Sequence, residues 1–355
     1  MRPNALAPTR PHAPNDSALL DWYGRNKREL PWRECGDVYS VWISEVMLQQ
    51  TKAVVVVPYF ERWMSKYPSV ESLANADPDE ALALWQGLGY YRRCRNLLEG
   101  ARHIVRNGWP ASLEEWLGVP GVGRYTASAI AAIAYGARVG VVDGNVQRVF
   151  ARLTGCRETG QALLSAAREW ADARVPAERP GDWGQALMDL GATICTPAKP
   201  RCAECPLESW CVARQSWTVA ELPVRPPKPQ TVRLFHTVWV PYHDGAFGVR
   251  RIAEGGWWQG LWEFPRVDSP RKVLPPGESA ELRALVGPGW LERLGVVRHR
   301  VTCHQIEVDA WLARAERRTD DLRWVGADEM ASLAMPSPQR RIARLAIRHL
   351  GIAAQ

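Results

Sequence analysis

The sequence predicts two domains, an all-α domain closed by a cysteine-rich loop and then a smaller α+β domain. Apolar residues recur at helical spacing from residue 17 to about 219, and from 232 onward they alternate as in strands. Between the two lies residues 220–231, with four prolines and two basic residues, which reads as an extended linker. At 355 residues the chain is long enough for each part to bury its own core. The composition is globular, 46% hydrophobic and 23% charged, and holds no apolar run of membrane-spanning length. A net charge of +7 favours an acidic polymer as partner, although such a surplus also fits many plain soluble proteins. Residues 1–16 lack the apolar core of a signal peptide and read as a disordered tail, so a cytoplasmic location is expected.

Ser17 to Glu29 reads as a helix with apolar surface at Leu19, Leu20, Trp22 and Tyr23, and Leu30-Pro31-Trp32-Arg33 breaks it. Val38 to Thr51 is a second helix, apolar on nearly every side except at Ser44-Glu45 and its end. A carboxylate in such a segment is expensive. Full burial raises a glutamate pKa by as much as ~3–5 units, enough to keep it protonated near neutrality as a general acid. Alternatively Glu45 points outward or pairs with an arginine such as Arg33. Helical pattern continues through Tyr59–Tyr67 and Pro78–Leu84, and Trp85 to Arg95 is a glycine turn opening onto a helix with three arginines. Arginines interleaved with aromatics suit phosphates and stacked bases; a solvated basic face above core tyrosines fits the same residues.

Ser112 to Phe150 is the most organised stretch. A short helix, then Val119-Pro120-Gly121-Val122-Gly123, then a helix from Arg124 to Tyr135 makes a hairpin. Gly121 and Gly123 lack Cβ, so backbone N–H groups at the helix start can approach a phosphate, or the glycines simply cap an ordinary turn. After Val139–Val142 comes Asp143-Gly144-Asn145 at the head of another amphipathic helix, where Asp143 is at least an N-cap. Helices over 163–173 and 183–194 lead to Cys195-x6-Cys202-x2-Cys205-x5-Cys211. The other four cysteines are scattered singly, so this cluster argues for a metal centre, and zinc is the generic reading for four thiolates.

Beyond the linker, strands are expected over 232–240, 308–312 and 322–325, and helices over 279–285 and 339–350. Residues 256–265 read GWWQGLWEFP, and the nearby helix offers only Glu278 and Glu281.

The VPGVG hairpin followed by VDGNV resembles the helix-hairpin-helix DNA glycosylase superfamily, and WISEVMLQQT resembles its adenine DNA glycosylase branch. The 6-2-5 cysteine spacing is similar to the [4Fe-4S] loop of the endonuclease III and adenine glycosylase families, residues 195–211 here. GLWEFP resembles the Nudix-like (MutT-like) C-terminal domain of adenine glycosylases, with too few glutamates here for phosphohydrolysis.

The resemblance implies a helix-hairpin-helix domain over 17–219, a Nudix-like domain over 232–355, and removal of adenine opposite 8-oxoguanine, and also opposite guanine, from duplex DNA. It implies Glu45 as the catalytic acid and Asp143 as the catalytic carboxylate that stabilises the sugar cation. Tyr125 and Asn145 would orient the second carboxylate or the water, and Arg33 and Trp32 would line the adenine pocket. DNA contacts fall to Gln50, Thr51, Leu88, Gly89, Tyr90, Gly121 and Gly123, with Tyr90 and Gln50 inserted into the stack. Cys195, Cys202, Cys205 and Cys211 would hold the cluster. Residues 298–304, RHRVTCH, stand where the family has a Phe-Ser-His loop that reads the lesion; Thr302 keeps a hydroxyl, and His304 or Cys303 stands for the histidine. Strand-cleaving relatives carry lysine where this chain has Tyr125, so a monofunctional glycosylase is expected, and a monomer is expected as well. Two alternatives remain, an endonuclease III-like bifunctional glycosylase/AP lyase and a non-catalytic iron–sulfur DNA-binding protein.

Overall fold

The structure, a computed structural model, describes residues 16–225, 227, 230–269, 280–286 and 291–352. The chain forms two compact units: residues 1–75 with 96–227, and residues 76–95 with 228–355. This partition changes unit at residue 227 and assigns 76–95 to the second unit. The expected tail over 1–15, Glu278, and the side chain of Glu281 lie outside the described residues.

The first unit is helical. α1 (Asp16–Asn26) buries Leu19, Trp22 and Tyr23. Where a break was expected, Pro31 opens a short helix, α2 (Pro31–Cys35), because a helix's first residue needs no N–H and proline's fixed φ suits it. α3 (Val38–Leu48) is capped by the Asp37 carboxylate, which accepts from the Ser40 N–H at 2.9 Å. Apolar nearly all round, it is buried nearly all round. It ends before the expected Thr51, since Gln49 leaves helical geometry and Gln50 turns to φ 57°. α4 (Ala53–Lys66) and α5 (Val70–Ala74) follow, the latter closed by a reciprocal Ser69–Ser72 capping box.

α6 (Pro78–Leu84) lies in the second unit, and α7 (Arg92–Asn107) starts there and continues in the first. α8 (Leu113–Leu117) and α9 (Arg124–Ala134) are the two arms of the expected hairpin. α10 (Gly144–Thr154), α11 (Gly160–Arg174) and α12 (Pro180–Thr193) close a core around Phe150, Leu163, Trp183 and Leu187. After the cysteine loop comes α13 (Val212–Gln215). Many tryptophans are core residues: Trp42, Trp63, Trp85, Trp116, Trp183 and Trp239 are fully buried.

In the second unit β1 (Val232–His243) pairs antiparallel with β2 (Ala246–Arg251) and β4 (Arg266–Ser269), and parallel with β6 (His304–Arg314). β3 (Trp262–Glu263) extends the β2 edge, β5 (Leu291–Val301) the β6 edge, and β7 (Arg323–Val325) pairs with β2. α14 (Ala280–Val286) and α15 (Ala327–Ser332) are short. α16 (Ser337–His349) buries Ile342, Ala343 and Ala346 against sheet residues such as Val308 and Leu312. Residues 298–304 are not the expected loop. Arg298 to Val301 are strand, Val301 pairs with His304, and only Thr302-Cys303 turn. Among the described residues no helix is long and apolar enough to cross a membrane.

Candidate active site and DNA-contacting turns

Glu45 projects from the middle of α3 and is only 4% exposed. Neither expected alternative holds: it does not point outward, and Arg33 is paired elsewhere. Instead the Tyr125 hydroxyl, from the first turn of α9, donates to Glu45 Oε2 at 2.7 Å. Burial pushes the Glu45 carboxyl up to about 7, against the Tyr125 hydrogen bond and Arg33, which favour its charged form, and with the negative charge of Asp143 adding to the rise.

Asp143 is both N-cap and pocket residue. Its carboxylate accepts from the Val146 N–H at 2.7 Å and from Asn145 Nδ2 at 2.8 Å. Burial raises its pKa, and these hydrogen bonds restrain the rise by favouring the charged form. Asn145 thus donates to the second carboxylate, whereas Tyr125 donates to Glu45. Both acids line one cleft of about 1630 Å³ with Trp32, Arg33 and Thr51.

Arg33 reaches this cleft from α2 and is fixed from behind. Its guanidinium donates to Asp189 at 2.9 and 3.0 Å and to Gln185 Oε1 at 2.8 Å. Arg28 also donates to Asp189, at 2.8 Å through Nε. Burial pushes the Asp189 carboxyl up, but its hydrogen bonds from Arg33 and Arg28 outweigh this and hold it below the usual range. Asp189, Gln185 and Met188 were missed in the sequence. The signal was the helical spacing of 185, 188 and 189, which puts Gln185 and Met188 on the cleft side of α12 with Asp189 buried behind Arg33.

The hairpin glycines differ. Gly121 has φ 79°, and a Cβ there would lie 2.3 Å from that of Asn96, so the fold itself requires glycine. At Gly123, the N-cap of α9, a Cβ would meet only open space, leaving helix-start N–H groups open to an anion. Tyr90 is half exposed at φ 47° on a pinned turn: Trp85 Nε1 donates to the Gly89 carbonyl at 3.0 Å, and Arg93 to the Leu88 and Gly89 carbonyls at 3.1 and 3.2 Å. The side chain of Leu88 is buried beneath this turn. Gln50, Tyr90 and Thr302 are three of the six described non-glycine residues with positive φ, at 57°, 47° and 51°. Such backbone costs of order 1–3 kcal/mol and gathers at functional sites.

Residues 43–172 match the HhH-GPD superfamily of base excision DNA repair proteins, and residues 236–345 match the NUDIX domain. The adenine DNA glycosylase of Homo sapiens is 34% identical over 403 aligned positions, covering 92% of this chain and 73% of the relative. This chain belongs to the adenine DNA glycosylase family. Another adenine DNA glycosylase, from Mycobacterium tuberculosis, is 42% identical over 215 positions, covering 59% of this chain and 70% of its own. Among solved structures, a thermostable thymine-DNA glycosylase superposes with TM-score 0.52 at 28% identity, over 57% of this chain and 95% of its own. The helical first unit and the Nudix-like second unit are thus the architecture of the family.

The four clustered cysteines line one cavity with Val149, Leu153 and Leu190, and none is in a disulfide. Burial, reinforced by the three neighbouring thiols, pushes Cys205 up to about 12, so a thiolate there calls for a cationic centre. Among the described residues no three metal-binding side chains converge as a single ion requires. Four clustered cysteines are a donor set that fits a metal centre. Arg201, within this loop, is exposed and pairs with Glu204 at 2.7 Å.

Proposed function

We propose that this protein removes adenine opposite 8-oxoguanine, and also opposite guanine, from duplex DNA as a monomeric, monofunctional glycosylase. The observation that carries this reading is the pairing of two differently held carboxylates in one cleft: Glu45, buried and near pKa 7, and Asp143, held towards its charged form by two hydrogen bonds.

An adenine inside the helix is beyond reach of an acid, so the nucleotide must first be extruded, which mispairing makes less costly. Tyr90, and separately Gln50, would hold the vacated stack. Glu45 then donates its proton to N7, the C1′–N9 bond breaks with its electron pair leaving on the base, and the sugar becomes an oxocarbenium ion. Ionised Asp143 stabilises that cation until water adds at C1′ and gives up a proton. The division of labour is that of glycosidases, an acid and a carboxylate set apart by their surroundings. Tyr125 has no amine to form a Schiff base with C1′, which supports hydrolysis without strand cleavage. Cys195, Cys202, Cys205 and Cys211 would hold a [4Fe-4S] cluster, which supplies a cross-link within this unit and no part of the hydrolysis.

The test is single-turnover release of adenine from a duplex with adenine opposite 8-oxoguanine, with and without alkali. Strand breaks are expected only after alkali, and Glu45→Gln should slow release by about 10²–10⁴-fold while leaving duplex binding intact. No release of adenine, or breaks without alkali together with borohydride trapping, would overturn the reading.

A further inference from the structure

The second unit contains both the Nudix-like sheet and the segment 76–95, which carries the Tyr90 turn. Three tethers join them. Arg251, at the end of β2, donates to the Asp79 carboxylate in the first turn of α6. Gln86 Nε2 donates to the Met335 carbonyl at 3.0 Å, and Arg95 Nη1 donates to the Gln259 carbonyl.

Arg251 is itself held in place. It donates to the Gly260 carbonyl at 2.8 Å and lies over the Trp262 ring at 4.5 Å, with Arg323 at 4.9 Å from the same ring. The loop between β2 and β3, which supplies Gln259 and Gly260, also carries Trp257 and Trp258. Their rings meet His304 at 4.8 Å and His299 at 6.0 Å, the two histidines that flank the Thr302 turn. Contacts therefore run from the Thr302 turn through Trp257 and Trp258 to Gly260, Arg251 and Asp79, which opens the helix α6 that leads into the turn presenting Tyr90.

We propose that Arg251 is a positioning residue: through Asp79 it sets the Tyr90 turn relative to the lesion-reading end of the sheet, so that 8-oxoguanine in the opposite strand favours insertion at the mispair. This rests on the reading given above for Tyr90 and for the Thr302 turn. Arg251 and Asp79 are 45% and 33% exposed, so their ion pair adds little to stability and its loss should leave the protein folded.

The experiment uses the full chain and two duplexes, with adenine opposite 8-oxoguanine and opposite guanine. It records single-turnover release together with the fluorescence of 2-aminopurine placed beside the mispair. Arg251→Ala should reduce the preference for 8-oxoguanine about tenfold and weaken the fluorescence change, at an unaltered melting temperature. The exchange Asp79→Lys with Arg251→Glu should recover most of the preference. A preference retained in Arg251→Ala would overturn the proposal, as would an equal loss on both duplexes, since that marks a general stabiliser. If the unaltered protein shows no preference, the lesion reading beneath the proposal has failed, and that result is distinct from failure of the tether.

Discussion

In the cleft of the first unit the working groups are hidden: Glu45 is 4% exposed and is held by a tyrosine hydroxyl. At the hairpin of the second unit Thr302, the residue proposed to meet the lesion, is exposed at the tip between β5 and β6 with φ 51°. Both arrangements weaken the fold, through different physics. For Glu45 the cost is electrostatic. A folded pKa of about 7 against 4.5 favours the fold only while the group is protonated, so this contribution is fully present below pH 4.5 and lost as pH rises through 7. The loss amounts to roughly 3 kcal/mol at 1.36 kcal/mol per unit. For Thr302 the cost is conformational, since a β-branched residue is poorly accommodated at positive φ. Proton transfer needs a desolvated acid, whereas reading a base within a duplex needs a group held out into solvent.

The largest effect that tests this contrast is at Asp143, where a helix cap and the proposed catalytic carboxylate coincide. Asn is as good a helix cap as Asp but carries no charge. Asp143→Asn should therefore keep the melting temperature and lose about 10²–10⁴-fold in single-turnover rate, the scale on which a preorganised charge acts. Asp143→Ala should lose the same rate and also about 1 kcal/mol of stability through the missing cap. An Asn variant of unimpaired rate would reduce Asp143 to a structural cap.

Much of the cleft could be read from the sequence because its outliers are local. Glu45 is a carboxylate in an apolar helix, Asp143 stands at a helix start, and the cysteines announce themselves by spacing. What could not be read depends on contacts distant along the chain. Nothing local says that Arg33 meets Asp189, 156 positions away, or that Tyr125 bonds Glu45, 80 positions away. Strand β5 escaped for another reason: Arg298, His299 and Arg300 look like a polar loop, and only pairing with Glu307, Ile306 and Gln305 makes them strand. The grouping of residues 76–95 with the second unit likewise follows from distant tethers such as Arg251 to Asp79.

A smaller effect is expected from the hydrogen bond that restrains Glu45. Tyr125 donates to its carboxylate and so favours the charged form; Tyr125→Phe removes that restraint and moves the Glu45 pKa higher still. The rate of adenine release depends on protonated Glu45, so in the unaltered protein it should fall as pH rises through about 7. In Tyr125→Phe that alkaline limb should move up by about one unit, as expected for losing a hydrogen bond to a charged group. The acid limb, set by protonation of Asp143, should stay in place. A pH–rate profile from 5 to 9 for both proteins decides this, and an unmoved alkaline limb would mean that Glu45 is not the group titrating there.

The smallest effect lies at the exposed end of the comparison. Glycine adopts φ near 50° without strain, so Thr302→Gly should leave the fold unharmed or more stable by up to about 1 kcal/mol. If the Thr302 hydroxyl meets the lesion, the same change should lower the preference for 8-oxoguanine over guanine several-fold, on the order of one hydrogen bond. Thr302→Ser keeps the hydroxyl and should keep the preference. A gain in stability with a loss in discrimination would show that the left-handed threonine is retained for recognition at the expense of the fold. Unchanged discrimination in Thr302→Gly would move lesion reading away from the tip, toward the aromatic neighbours of His299 and His304.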